Sequence, residues 1–224
     1  MSPELYFIIL IVLLLVFIFW NINSGSISIS LKDIFQILFH KNGDETAYNI
    51  VWEIRLPRIL AAVILGGALS VSGFLLQTFF GNPIAGPFVL GISSGAKLIV
   101  ALTMIYLLGK SMVATSGLMI LAAFTGSLIS MGFVLLISRK VKQMSMLVVS
   151  GIMIGYICSA ITDFVVTFAD DSNIVNLHNW SLGSFSGTSL DNVSVMAVVV
   201  FVALFLTFLM SKPISAYQLG EGYA

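Results

Sequence analysis

Six stretches of this chain are too long and too apolar for a water-soluble fold: residues 5–21, 58–80, 90–109, 113–138, 146–169 and 193–211. A helix crosses the hydrocarbon of a bilayer with about 20 largely uncharged residues, because no lipid-exposed amide can go unpaired there. Charged residues make up 9% of the 224 positions, against roughly a quarter in soluble domains. A soluble domain of this size could not hide the remaining apolar surface. The fold class expected is therefore all-α, a polytopic membrane helix bundle of about six spans. Membrane lipid is its first partner.

The polar breaks fall at Asn21–Pro57, Gly81–Pro87, Arg139–Ser145 and Asp170–Asn192. Within the first, Leu31–Phe39 places apolar residues at helical spacing, so a short amphipathic helix is expected there. Leu5–Trp20 could be mistaken for a secretory leader. It has no basic residue before it and no small-residue cleavage site after it, and it reads as a retained anchor. Small residues recur every four positions, at Ala62, Gly66 and Ser70 and again at Gly151, Gly155 and Ser159. Lipid supplies no hydrophobic drive between helices, so such faces are expected to bring backbones close together.

Several function classes are excluded by composition. Ten basic and ten acidic side chains leave no field to hold nucleic acid. The single cysteine, Cys158, argues against a disulfide scaffold or a thiolate metal site, and reads as a packed core thiol. No nucleotide-binding loop or metal-ligand cluster is visible, so no cofactor and no metal are expected. The cluster Arg139-Lys140-Val141-Lys142 favours a cytoplasmic position for its loop. Arg55 and Arg58 then stand on the outer side, against the usual bias, and need their own reason.

Motif order carries a resemblance. Trp52-Glu53-Ile54-Arg55-Leu56-Pro57-Arg58 leads into Gly66-Gly67-Ala68-Leu69-Ser70, then Gly81-Asn82-Pro83-Ile84-Ala85-Gly86-Pro87 and Leu90-Gly91-Ile92-Ser93-Ser94-Gly95. Gly151, Gly155 and Cys158-Ser159-Ala160 follow, then Trp180-Ser181-Leu182-Gly183-Ser184-Phe185-Ser186-Gly187 and Leu219-Gly220-Glu221. This order resembles the FecCD-like permease subunits of bacterial ATP-binding-cassette importers for iron–siderophores, haem and vitamin B12. The resemblance implies a family pattern of about ten spans, of which this chain looks like the N-terminal part, a single permease domain over 1–224. It also implies a bacterial inner-membrane location, a second permease subunit, two ATPase subunits below and an extracytoplasmic substrate-binding protein above. Covalent chemistry is not expected; ATP hydrolysis belongs to the partner subunits. An iron–siderophore is the cargo expected, as the commonest in the family.

The resemblance also assigns residues. Arg55 and Arg58, three apart and on one face if helical, correspond to arginines that meet carboxylates of the binding protein. The bland alternative is that they anchor a helix end to lipid phosphates. Asn82 and Ile84 lie in an irregular, proline- and glycine-rich connection that borders the inner end of the pathway in the family. Such backbone at membrane depth is tolerated only where it is buried in protein or lines a watery cavity; a plain turn is the alternative. Met144 and Ser145 open the span that follows the inner gate loop, with Ser145 a candidate helix cap. Leu219, Gly220 and Glu221 resemble the opening of the segment that couples to the ATPase, against a frayed terminus.

Two charges have no motif behind them. Asp163 lies roughly 25 Å along the fifth span by helical rise, near the outer mouth, and a carboxylate there faces a cavity or a partner. Lys97, early in the third span, is expected, if the two spans run in the same direction, to sit too near the inner face to pair easily with it. Two other function classes remain as alternatives. Gly91-Ile92-Ser93-Ser94-Gly95 fits the nucleophile motif of a serine hydrolase, but that motif needs a strand–turn–helix elbow and a histidine. Both His40 and His178 are expected across the bilayer from Ser93. An ion channel would need a charged ring or a carbonyl filter, and neither is visible.

Overall fold

The computed structural model describes residues 2–25, 27–40, 44–108, 115–141 and 143–219. All the regular elements among them are helical: α1 (Pro3–Asn23), α2 (Leu31–His40), α3 (Glu45–Asn49), a π-helical turn (Ile50–Arg55), α4 (Leu56–Phe80), α5 (Ile92–Leu108), α6 (Ser116–Ser138), α7 (Met144–Val166), α8 (Asp171–Leu182), α9 (Leu190–Leu209) and α10 (Ser211–Leu219). Five of the helical segments are long and apolar enough to cross a membrane, and α5 forms a sixth, shorter apolar helix. A polytopic membrane helix bundle is what the apolar stretches required.

The chain divides into two compact units. The first comprises residues up to Ala68 together with Phe185–Phe208. Its core joins Ile22 of α1, Ile29, Ile34 and Ile37 of the α2 region, Val51 and Ile59. The expected amphipathic helix is α2, which buries Ile34 and Ile37 and exposes Leu31 and Phe35. Ser30 caps it: its hydroxyl accepts from the Asp33 N–H at 3.2 Å and donates to the Asp33 carboxylate at 2.6 Å. Helical structure then runs without a break from Glu45 to Phe80, 36 residues. The span was expected to begin at Arg58, after a polar loop that ended on Pro57. Pro57 instead lies inside the helix and is fully buried. A proline ring collides with the carbonyl four residues back, and the wider π-helical turn just before Pro57 relieves that crowding.

The second unit comprises Leu69–Ser184 and the chain from Leu209. Here α5 is central, packed on α6, α7 and α8. Backbones meet at glycines: a Cβ at Gly95 would strike the Ser130 side chain and stand 2.7 Å from the Gly126 carbonyl oxygen. Gly91, at φ +72°, would meet Gly151 O at 2.6 Å and Gly155 N at 2.7 Å. The small face Gly151-Gly155-Ser159 thus packs as its spacing implied. Ala62, Gly66 and Ser70 are all exposed, and a Cβ at Gly66 would meet nothing within 4 Å among the described residues. Cys158 is half-buried with its Sγ 3.8 Å from Ser130 Oγ, a thiol packed between α6 and α7.

Helix α8 falls inside the Asp170–Asn192 stretch that looked like an outer loop. Its Leu177 is buried with Val100, Ala101, Met104 and Leu107 of α5 and Met119 and Ala122 of α6. It lies along α5 rather than above it.

Candidate functional site

Arg55 and Arg58 border one cavity of about 250 Å³ in the first unit, together with Asn21, Ser24, Gly25 and Ile54. Their surroundings differ. Arg55 is 7% exposed; its Nη1 donates to Ile22 O at 2.7 Å and its Nη2 to Ile27 O at 2.5 Å. The guanidinium therefore satisfies carbonyls left open where α1 ends and the chain turns. Gly25 makes room for it, since a Cβ there would stand 2.6 Å from Arg55 Nη2. Arg58, one turn later, is exposed. The expectation that both arginines face a partner is corrected for Arg55, whose fork is turned inward onto the backbone.

The Gly81–Pro87 connection is irregular and partly buried. Asn82 is half-buried, and its Oδ1 accepts from the Ile84 N–H at 2.9 Å, an Asx turn. Ala85, fully buried, and Leu90 share a core with Phe80, Val134, Leu147 and Val148. Ile84 is 68% exposed and Phe88 82%. The segment tucks one side into the protein and presents the other outward. Its far end, Gly91, sits against residues 7 and 11 positions into α7, roughly 10–17 Å along that helix. This explains the shortness of α5: the irregular backbone takes the place of the helix's first turns.

The same register corrects the depth expected for Lys97. Ser94 and Ser159 lie with their Oγ atoms 3.5 Å apart, and α5 and α7 advance in the same direction from the Gly91–Gly155 contact. Three residues on, Lys97 is level with Thr162 and Asp163. Counting from the start of each apolar stretch failed because α5 starts part-way along α7. Lys97 is half-buried and lines a cleft of about 500 Å³ with Phe88, Ser93, Ser94, Ala96, Ser159, Trp180 and Ser181. Asp163, one turn beyond Ser159, is exposed and outside that lining. Sequence reasoning missed this cleft. The Asn173, Leu177, Trp180 spacing, three and four residues apart, was the available signal for α8 as its wall.

The cleft also bears on the nucleophile motif. Ser93 and α8 share it, so the expected separation of Ser93 from α8 by the bilayer does not hold. Ser93 nevertheless lies in the first turn of α5, and no strand exists among the described residues to form an elbow. His178 is exposed on α8, where its carbonyl accepts from Ser181 Oγ.

Met144 begins α7, but the cap position is Gln143, so Ser145 is the second residue of the helix and not its cap. Ser145 is exposed. Leu219 ends α10, while Gly220 and Glu221 lie outside the described residues. Helix α10 packs on the end of α4 through Tyr217 and Gln218, whose Nε2 donates to Thr78 Oγ1 at 3.3 Å.

Comparison with known proteins agrees with this architecture. The model of the FecCD transport family matches residues 13–224. The hemin transport system permease protein HmuU of Yersinia pestis is 30% identical over 221 residues, 98% of this chain and 65% of that protein. The vitamin B12 import system permease protein BtuC of Klebsiella pneumoniae is 37% identical over 172 residues, 76% of this chain and 50% of its own length. The chain thus spans between half and two thirds of these curated relatives. In fold it is similar, with a TM-score of 0.79, to a chain of a metal-chelate type ABC transporter in an inward-facing conformation. That likeness is at 22% identity and covers 99% of this chain and 66% of the other.

Proposed function

This chain belongs to the FecCD transport family, and on that premise we propose that it acts as a permease subunit of an ATP-driven importer in a bacterial inner membrane. Residues 1–224 form a permease domain on this reading, working with two ATPase subunits, an extracytoplasmic binding protein and a second permease. The cargo we propose is a metal chelate, with an iron–siderophore as the specific case; the relatives are named for hemin and vitamin B12.

One observation supports the reading above others. Irregular backbone from Gly81 to Gly91 lies alongside the body of α7 and is backed by a buried core, while Ile84 and Phe88 face outward. A spanning protein keeps non-helical backbone at such a level only against a protein wall or a water-filled cavity. A passage whose walls rearrange between two packings needs such a segment, and a merely structural bundle does not. In this reading Asn82 and Ile84 border the inner gate, Met144 and Ser145 open the adjacent gate helix, Asp163 faces the outer part of the passage, and Leu219, Gly220 and Glu221 begin the coupling segment. Docking of the binding protein falls to Arg58, with Arg55 holding its helix in place.

The test is reconstitution of the intact subunit with its ATPases and binding protein in sealed vesicles. Uptake of a labelled iron–siderophore that requires ATP, and is lost with Arg58→Glu while ATPase assembly persists, is expected. ATP-independent flux would replace the importer with a channel.

A further inference from the structure

Between Arg58 and Arg139 the sequence holds two charged side chains, Lys97 and Lys110. Lys97 is therefore the single charge in the sequence between Arg58 and Lys110, and it is half-buried in the second unit. An ammonium in such a place is costly and is kept where a cavity or an opposite charge receives it. No ion pair joins it to Asp163 or to any other carboxylate among the described residues. What surrounds it is the open cleft of about 500 Å³, walled by α5, α7 and α8.

The lining of that cleft is selective in type. Around Lys97 stand the hydroxyls of Ser93, Ser94, Ser159 and Ser181 and the ring of Trp180. Hydroxyl groups can donate to an oxyanion, the ammonium supplies charge, and the indole offers an apolar face to the rest of a ligand. No carboxylate among the described residues belongs to the lining, so none of these repels an anion. The volume is of the size that holds a small-molecule ligand.

We propose that this cleft is an anion-recognising subsite, in which Lys97 selects carboxylate-bearing metal chelates over neutral ones. The proposal rests on the importer reading for its cargo class, but its site can be tested without transport. Lys97 is the specificity-determining residue, and the hydroxyls of Ser93 and Ser94, whose protons no acceptor among the described residues takes, orient the carboxylate against it.

The experiment measures equilibrium binding of radiolabelled ferric citrate, an anionic chelate, and of a neutral ferric trihydroxamate to the intact subunit in zwitterionic lipid nanodiscs. Lys97→Gln should weaken ferric citrate binding by about tenfold or more, the scale of one charge-assisted contact, and leave the trihydroxamate unchanged. Lys97→Arg should retain ferric citrate binding, and Ser94→Ala should weaken it a few-fold, about the scale of one neutral hydrogen bond. The proposal is overturned if the wild type does not bind ferric citrate, if Lys97→Gln binds it as well as wild type, or if the variant loses both chelates equally. Competition by phosphatidylglycerol added to the nanodiscs would assign the cleft to a lipid headgroup and also overturn it. Lys97-dependent binding without ATP-driven uptake would discard the importer reading and keep the site. Uptake indifferent to Lys97 would do the reverse.

Discussion

The hydroxyl of Tyr217 on α10 donates to the carbonyl oxygen of Phe79, the penultimate residue of α4, at 3.1 Å. The two rings stack nearly parallel, 10° apart with centroids 6.0 Å from each other. The last carbonyls of a helix have no partner within it. Those of Gln77 and Thr78 are taken by the Asn82 and Gly81 N–H groups, and that of Phe79 by Tyr217. Helix α10 is thus tied to the point where the Gly81–Pro87 connection begins. Motion delivered to the end of α10 would reach the proposed gate through this contact. Tyr217→Phe, which keeps the ring, should cost about 1 kcal/mol or less in stability. Tyr217→Ala should leave ATP hydrolysis by the assembled transporter in place while lowering chelate uptake. Equal loss of both activities would show that the contact only supports assembly.

Glycines that look alike in the sequence should differ in tolerance. Gly91→Ala and Gly95→Ala each drive a methyl group into the backbone of α7 or α6, and should cost about 1–3 kcal/mol or more. Gly91→Ala carries the added strain of its positive φ. Gly66→Ala meets open space on an exposed helix face and should leave thermal stability in detergent unchanged or slightly raised. Similar melting temperatures for all three variants would contradict the packing described.

The two motif arginines should separate by readout. Arg55→Met leaves two carbonyls without their donor in a buried place, and should destabilise the chain by about 3 kcal/mol. Arg55→Lys should not rescue it fully, because an ammonium lacks the fork that reaches both Ile22 and Ile27. Arg58→Gln should leave stability intact and reduce capture of the binding protein, more strongly at low salt than at high salt. Thermal melts and a pull-down at two ionic strengths would distinguish these outcomes.

Asn82→Ala removes the acceptor that holds the Ile84 N–H, and should cost about 1 kcal/mol, the usual scale for one such bond. Asn82→Asp keeps the acceptor and should restore the turn. If Asn82 borders the gate, the aspartate variant should still alter uptake despite its normal stability, measured in vesicles beside the alanine variant.

Much of this was legible before any coordinates. The apolar stretches named the membrane class and gave spans whose ends moved by a few residues, except the start of the second, which moved from Arg58 back to Glu45, and α2 followed from the spacing of Ile34 and Ile37. Boundaries failed where a residue's usual meaning was overridden locally. Pro57 reads as a helix start, yet a π-helical turn carries the helix through it. Asp170–Asn192 reads as a loop because it is polar, yet Leu177, with Trp180 packed on the same core, anchors a helix of 12 residues against α5. Of the site residues, the proposed gate turn was visible in its asparagine and prolines. The inward aim of Arg55 was not, since it depends on carbonyls of Ile22 and Ile27, about thirty positions earlier in the chain.

The sequence alone determined that this protein lives in lipid as a helix bundle, because unpaired amides in hydrocarbon leave no other choice for stretches so long and so free of charge. It also determined that Gly81–Pro87 could not be helical, since prolines remove donors and glycines loosen the backbone. Only the tertiary structure decided depth. Where one helix begins relative to another is set by contacts such as Gly91 on Gly155 and Ser94 beside Ser159. Those contacts join residues some sixty positions apart, and no count along a single span contains them. They place Lys97 in a cleft with Trp180 rather than at a membrane face.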